Sequence, residues 1–145
     1  MFTWLYNKME QVFGLDKLPG QSPPRRYVYK KIPVTINAAG KYIGHSPYVL
    51  DKNIKAVHAI TVTADDESRV FNLTHRVEIN GQELLPQEFE ARVLYAYASV
   101  PVNDRYFDLG SEPAGNVVVK ITCFDRTASG FAAYNVNFYL KCELV

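Results

Sequence analysis

Histidines His45, His58 and His75, two short carboxylate runs and two cysteines are the residues of this chain best able to catalyse or to bind metal. The histidines are widely spaced and lack the short-range pairing that metal sites often show. Only a fold that converged them would make a site. His58 sits in the apolar run "AVHAI", where a satisfied core or interface histidine is expected rather than a ligand. Asp65, Asp66 and Glu67 form an acidic knot. Clustered carboxylates hold calcium, which takes several oxygens, but "DDES" lacks the alternating ligand spacing of a calcium loop. A solvated turn is the expectation. Glu88 and Glu90 flank Phe89 and would share one strand face. Acid–base work by such a pair needs a cleft and separated pKa values, and neither is legible, so surface charge is expected. No glycine-rich phosphate loop, nucleophile elbow or dinucleotide fingerprint occurs. The chain is expected not to be an enzyme and to use no metal or cofactor.

Cys123 and Cys142 both fall in apparent strands and would pair only if those strands were neighbours. Buried, reduced thiols are the expectation for a protein that stays where it is made. The opening is not expected to be an export signal, since Asn7, Lys8, Glu10 and Gln11 interrupt its apolar character. Without export, the Asn72-Leu73-Thr74 triplet is not a glycosylation site. Apolar stretches fall short of the ~20 residues of a membrane-spanning helix.

The elements that must position these groups read as β-structure. The chain has 145 residues, 48% hydrophobic and 21% charged, enough for one domain with a real core. Net charge is +1, without the basic footprint of a dedicated nucleic-acid binder. Arg25, Arg26, Lys30 and Lys31 read as a solvated strand edge rather than a phosphate site. In "YVYKKIPVTIN", Val28, Ile32, Val34 and Ile36 share a face that Lys30 interrupts, and Pro33 points to an edge strand or bulge. "KAVHAITVT" is apolar on both faces, as in a central strand. Asn80-Gly81 predicts a type I′ hairpin. "FEARVLYAYASV" and "NVVVKITCF" predict two more strands, separated by a loop over Pro101–Gly115. In "YNVNFYLKCEL", Tyr134, Val136, Phe138, Leu140, Cys142 and Leu144 form the buried face. Asn135, Asn137, Tyr139, Lys141 and Glu143 form the wet one. About eight strands without helical periodicity after Phe13 predict an all-β domain over residues 26–145. A jelly roll is the first choice and an immunoglobulin-like sandwich the second.

Residues 1–25 differ from this pattern. Phe2, Leu5, Met9 and Val12 lie on one helical stripe with Phe13 beside it, and Gly14 is a C-terminal stop. "DKLPGQSPPRR" follows as an extended, proline-rich spacer. An isolated helix below ~12–15 residues is marginal in water, so this arm is expected to hold when several copies dock together. Folding back onto the arm's own domain is one alternative. A lipid surface is another, although Lys8 against Glu10 gives little attraction to anionic headgroups. Aromatic residues make up 13%. Tyr95 and Tyr97 are expected on one strand face, with Tyr106 and Phe107 in a loop. They would form a sugar platform, a protein interface or ordinary packing.

An apolar N-terminal arm, a proline-rich spacer and one compact β-domain together resemble the vertex (penton) proteins of tailless icosahedral viruses and bacteriophages with internal membranes. The stretch "INGQELLPQEFEARVLYAYASVPVNDRYFDLGSEPAGNVVVKITCF" is similar to virion structural proteins of that kind. The resemblance implies a structural capsid protein of the virion, made in the host cytoplasm and assembled as a homopentamer. Phe2, Trp4, Leu5, Met9, Val12 and Phe13 would be anchors to neighbouring capsid proteins or to the internal lipid membrane, and loops such as Pro101–Gly115 would face neighbours or spikes. From a different class, a carbohydrate- or ligand-binding module would bind glycans as a monomer and lose binding when Tyr95 or Tyr97 becomes alanine.

Overall fold

The structure is a computed structural model, and it describes residues 24–96, 100–101 and 104–145. The anchor residues Phe2, Trp4, Leu5, Met9, Val12 and Phe13, with Tyr97, lie outside the described residues. Those described form strands β1 (Tyr27–Ile36), β2 (Tyr42–Ile43), β3 (Tyr48–Val49), β4 (Ile54–Ala64), β5 (Leu73–Ile79), β6 (Gln82–Glu90), β7 (Phe107–Pro113), β8 (Val118–Asp125) and β9 (Tyr134–Leu144). The protein is all-β, with two antiparallel sheets. The first has the order β1-β9-β4-β7, and the second has the order β2-β8-β5-β6 with β3 also on β8. β2 meets Cys123 and Phe124 of β8, whereas β3 meets Val118 and Val119. Both lie on the edge of β8 that β5 leaves free, so two short strands share the place of one.

Alternation dictates how the sheets close on each other. Along β9, Tyr134, Val136, Phe138, Leu140 and Cys142 are buried, and they meet Ile32, Val34 and Ile36 of β1 and Ile60 and Val62 of β4. Val77, Ile79, Leu85, Val119 and Ile121 of the second sheet complete the core. Each such side chain contributes about 1.5–3 kcal/mol on burial. Asn80 (φ 54°) and Gly81 (φ 75°) both take the left-handed conformation that a type I′ turn requires, and they join β5 to β6 as the sequence predicts. β1 is an edge strand, as Pro33 suggests, and the doubly apolar β4 lies between β9 and β7. Lys30 leans off the rim of the apolar face to pair with Asp51 at 2.9 Å.

Three expectations are corrected. The strand predicted over "FEARVLYAYASV" ends at Glu90. A single helical turn, Ala91–Leu94, follows, closed by Tyr95 N–H donating to the Ala91 carbonyl at 3.1 Å. Ala91 and Leu94, three apart, both enter the core, a spacing that suits a helical turn and not a strand. Tyr95 makes an isolated bridge with Val62 rather than lying within a strand. The Pro101–Gly115 segment, read as loop, contains β7, so Phe107 is a strand residue. Finally, Glu143 on the face expected to be wet is buried. The cause lies in β4 and is taken up below.

The four sheet edges fall on two flanks. Phe89 of β6 meets Phe107 of β7 edge to face at 5.6 Å, which brings those two edge strands together. On the opposite flank the Lys30–Asp51 pair ties β1 to the segment that follows β3.

Candidate functional site

β4 departs from regular register against β9 at two places, between Ile54 and Ala56 and between Val57 and Ala59. Each bulge inserts one extra residue, Lys55 and then His58, and bulges of this kind re-aim side chains. Both converge on Glu143. His58 Nε2 lies 2.7 Å from Glu143 Oε1, and Lys55 Nζ lies 3.6 Å from Oε2. The Glu143 side chain is 9% exposed and that of His58 17%. The hydrogen bond to His58 is the main influence holding the Glu143 carboxyl below its ordinary value. The charges of Lys55 and Arg25 add to it, and burial partly opposes them. A carboxylate on a solvent-facing sheet surface is thereby shielded without losing its charge.

Tyrosines surround this pair. Tyr27 stands edge-on to His58 with ring centroids 5.7 Å apart, and Lys141 Nζ lies 4.6 Å from the Tyr27 centroid. Tyr106 tilts against Tyr29 at 5.5 Å. A cleft of about 210 Å³ is lined by Tyr27, His58, Ala59, Tyr106, Asp108 and Lys141. Another of about 250 Å³ lies among Thr61, Thr63, Ala96, Arg105, Tyr106 and Tyr139. Partial burial raises the Tyr106 hydroxyl above its usual value. Asp108 is set by an irregular turn within β7, where its Oδ1 accepts from Gly110 N–H at 2.7 Å and Gly110 has φ +84°. The outer face of the first sheet is therefore a tyrosine-bearing surface around a shielded carboxylate, Glu143.

The other candidates are spread apart. His75 is fully buried between Phe89 (5.7 Å) and Phe138 (5.1 Å), and among the described residues neither ring nitrogen has a hydrogen-bond partner. Burial pushes its pKa down to about 4. His45 fills the interval between β2 and β3. Its Nε2 accepts from Ile121 N–H at 3.0 Å, so Nδ1 carries the proton and donates to the Ser46 carbonyl at 2.6 Å. The structure therefore gathers no two of the three histidines. Asp66 accepts from Ser68 N–H as the cap of a 3-10 helix (Glu67–Asn72) and pairs with Arg69 at 3.3 Å. Asp65 accepts from Asn135 N–H. Glu88 is exposed, and Glu90 pairs with Arg92 and Arg126. Cys123 and Cys142 are free and buried in different sheets, and burial raises their thiols to about 12 and about 11. Among the described residues no group of three or more His, Cys, Asp or Glu is placed to hold a metal ion, and no helix is long and apolar enough to cross a membrane.

Of the aromatics singled out in the sequence, Tyr106 belongs to the tyrosine surface. Tyr95 and Phe107 share a neighbouring hollow with it. Tyr27, Tyr29 and Asp108 are not among the residues the sequence singles out, and Lys141 and Glu143 enter it only as part of a wet strand face. Their signal was the period-two spacing of Tyr27 with Tyr29 and of Tyr139 with Lys141 and Glu143. No protein-family profile, curated protein or solved structure matches the chain.

Proposed function

We propose that the chain is a structural subunit of a virion shell, a single jelly roll at the fivefold vertex, held by residues 1–25 to neighbouring coat proteins or an internal membrane. The observation that carries this reading is the strand order, β1-β9-β4-β7 against β2-β8-β5-β6 with β3 completing the β2 position. With β2 and β3 counted as one interrupted strand, this order supports two interleaved Greek keys, the jelly roll that viral capsids share with lectins and cupins. Capsid function is favoured within that group by the apolar arm ahead of the domain and by the tyrosine-bearing outer face. A fold alone hosts many functions, so the test is assembly. Mass measurement in solution, with electron microscopy of material from the source, is expected to give a pentamer or a particle. Deleting residues 1–15 is expected to leave the β-domain folded and abolish incorporation into the shell. A stable monomer that binds glycans through Tyr95 or Tyr97 would overturn the reading in favour of the carbohydrate-binding alternative.

A further inference from the structure

The edge strands on the two flanks of the molecule carry charges of opposite sign. On one, the edge strand β1 with its lead-in presents Arg25, Arg26, Lys30 and Lys31, and its sequence from Arg25 to Ile36 contains no Asp or Glu. On the other, β6 and β7 present Glu83, Glu88, Glu90, Asp108 and Glu112, and neither strand contains Lys or Arg. Some of these charges are used within the molecule. Lys30 pairs with Asp51, Glu83 with Arg76, and Glu90 with Arg92 and Arg126. Arg26 and Lys31 on one flank, and Glu88, Asp108 and Glu112 on the other, have no ion-pair partner among the described residues.

Charges on edge strands ordinarily block unwanted pairing with other chains. That role is served by either sign and gives no reason for one sign to collect on each flank. Segregation does have a reason if one flank meets the other on a second copy. Opposed potentials steer encounter and fix register, while like flanks repel. A contact between two different surfaces of the same chain is heterologous, and it closes into a ring when the rotation per copy permits.

We infer that the basic β1 flank of one copy docks against the acidic β6–β7 flank of the next, so that the occupant of each flank is a second copy of this chain. This inference rests on the structural-subunit reading and specifies which surfaces meet. In such a contact Arg26 and Lys31 face Glu88 and Glu112, and two identical flanks never pair.

Charge reversal of the full chain tests it. Sedimentation of the wild type, of Lys31→Glu, of Glu88→Lys and of the double variant is compared at low and high salt, with circular dichroism confirming the fold. Each single reversal is expected to weaken self-association by about tenfold or more at low salt. The double variant, which restores opposite signs across the contact, is expected to recover it. Wild-type association that neither reversal alters overturns the flank contact and leaves the structural reading standing. A double variant as weak as the singles also overturns it. A wild type that stays monomeric at every concentration overturns both.

Discussion

His58 and His75 are both shielded by aromatic rings, yet they occupy opposite electrostatic settings. His58 is held on the outer face by a bulge that carries it to Glu143. His75 is placed by the regular register of β5 against β8 opposite Cys123, and beside Phe89 where the β5–β6 register begins to shift, with no partner for either nitrogen among the described residues. The charges facing His58 are Glu143, Lys55 and, across the cleft, Asp108 and Lys141, whereas the rings of Phe89 and Phe138 pack on His75 and Cys123 lies opposite it. Burial with a partner keeps a charge available, and burial without one makes charge costly.

The largest effect expected from this contrast is acid loss of stability through His75. Its folded pKa of about 4 lies below the unfolded value of 6.5, so the unfolded chain takes up the proton first. Stability is full above about pH 6.5, falls as pH drops toward 4, and levels below that, for a total of roughly 3 kcal/mol. Urea unfolding between pH 7 and pH 4 should show this slope, and His75→Leu should flatten it. An unchanged slope in that variant would remove His75 as the cause.

Glu143 gives a smaller effect in a lower window. Its carboxyl is held below the ordinary value, so its contribution is present above the unfolded pKa and is lost as pH falls through the lowered folded one. Glu143→Gln is expected to cost less stability at pH 7 than protonation of His75 costs at pH 4. It should also abolish the last part of the acid transition. Equal sensitivity in the two variants would erase the distinction between them.

The thiols give the smallest effect, read as a rate. Cys123 lies against His75 in the register of β5 and β8, and burial holds both cysteines well above ordinary thiol values. Neither is expected to react with an aromatic disulfide reagent at pH 8 until the protein unfolds. Fast labelling of Cys123 in the folded state would mean that the surroundings of His75 are wetter than the geometry indicates.

What the sequence revealed follows from where regular spacing holds. β9 alternates from Tyr134 to Leu144 with little interruption, Asn80-Gly81 needs two left-handed residues, and Pro33 lacks a ladder donor, so each carries its structural meaning in its own identity. β7 did not, because "FDLGSEP" has no clean alternation and its register against β4 jumps from Glu112 to Asp108. The burial of Glu143 was hidden for a related reason. It depends on two extra residues in a different strand, Lys55 and His58, and an insertion of one residue leaves no mark in composition. The Ala91–Leu94 turn is too short for helical periodicity to register. The acidic knot lies in the turn between β4 and β5, where Asp66 caps the 3-10 helix and pairs with Arg69.

The imidazole of His45 has a consequence for isotope exchange. Along the outer rim of β8, Val119 and Cys123 lie opposite strand residues, while the amide between them, on Ile121, is covered by a side chain. A ring turns about two bonds, whereas a strand must lift as a unit to uncover its amides. Deuterium should therefore enter at Ile121 ahead of its two neighbours, marking a gap in the rim that opens one residue at a time.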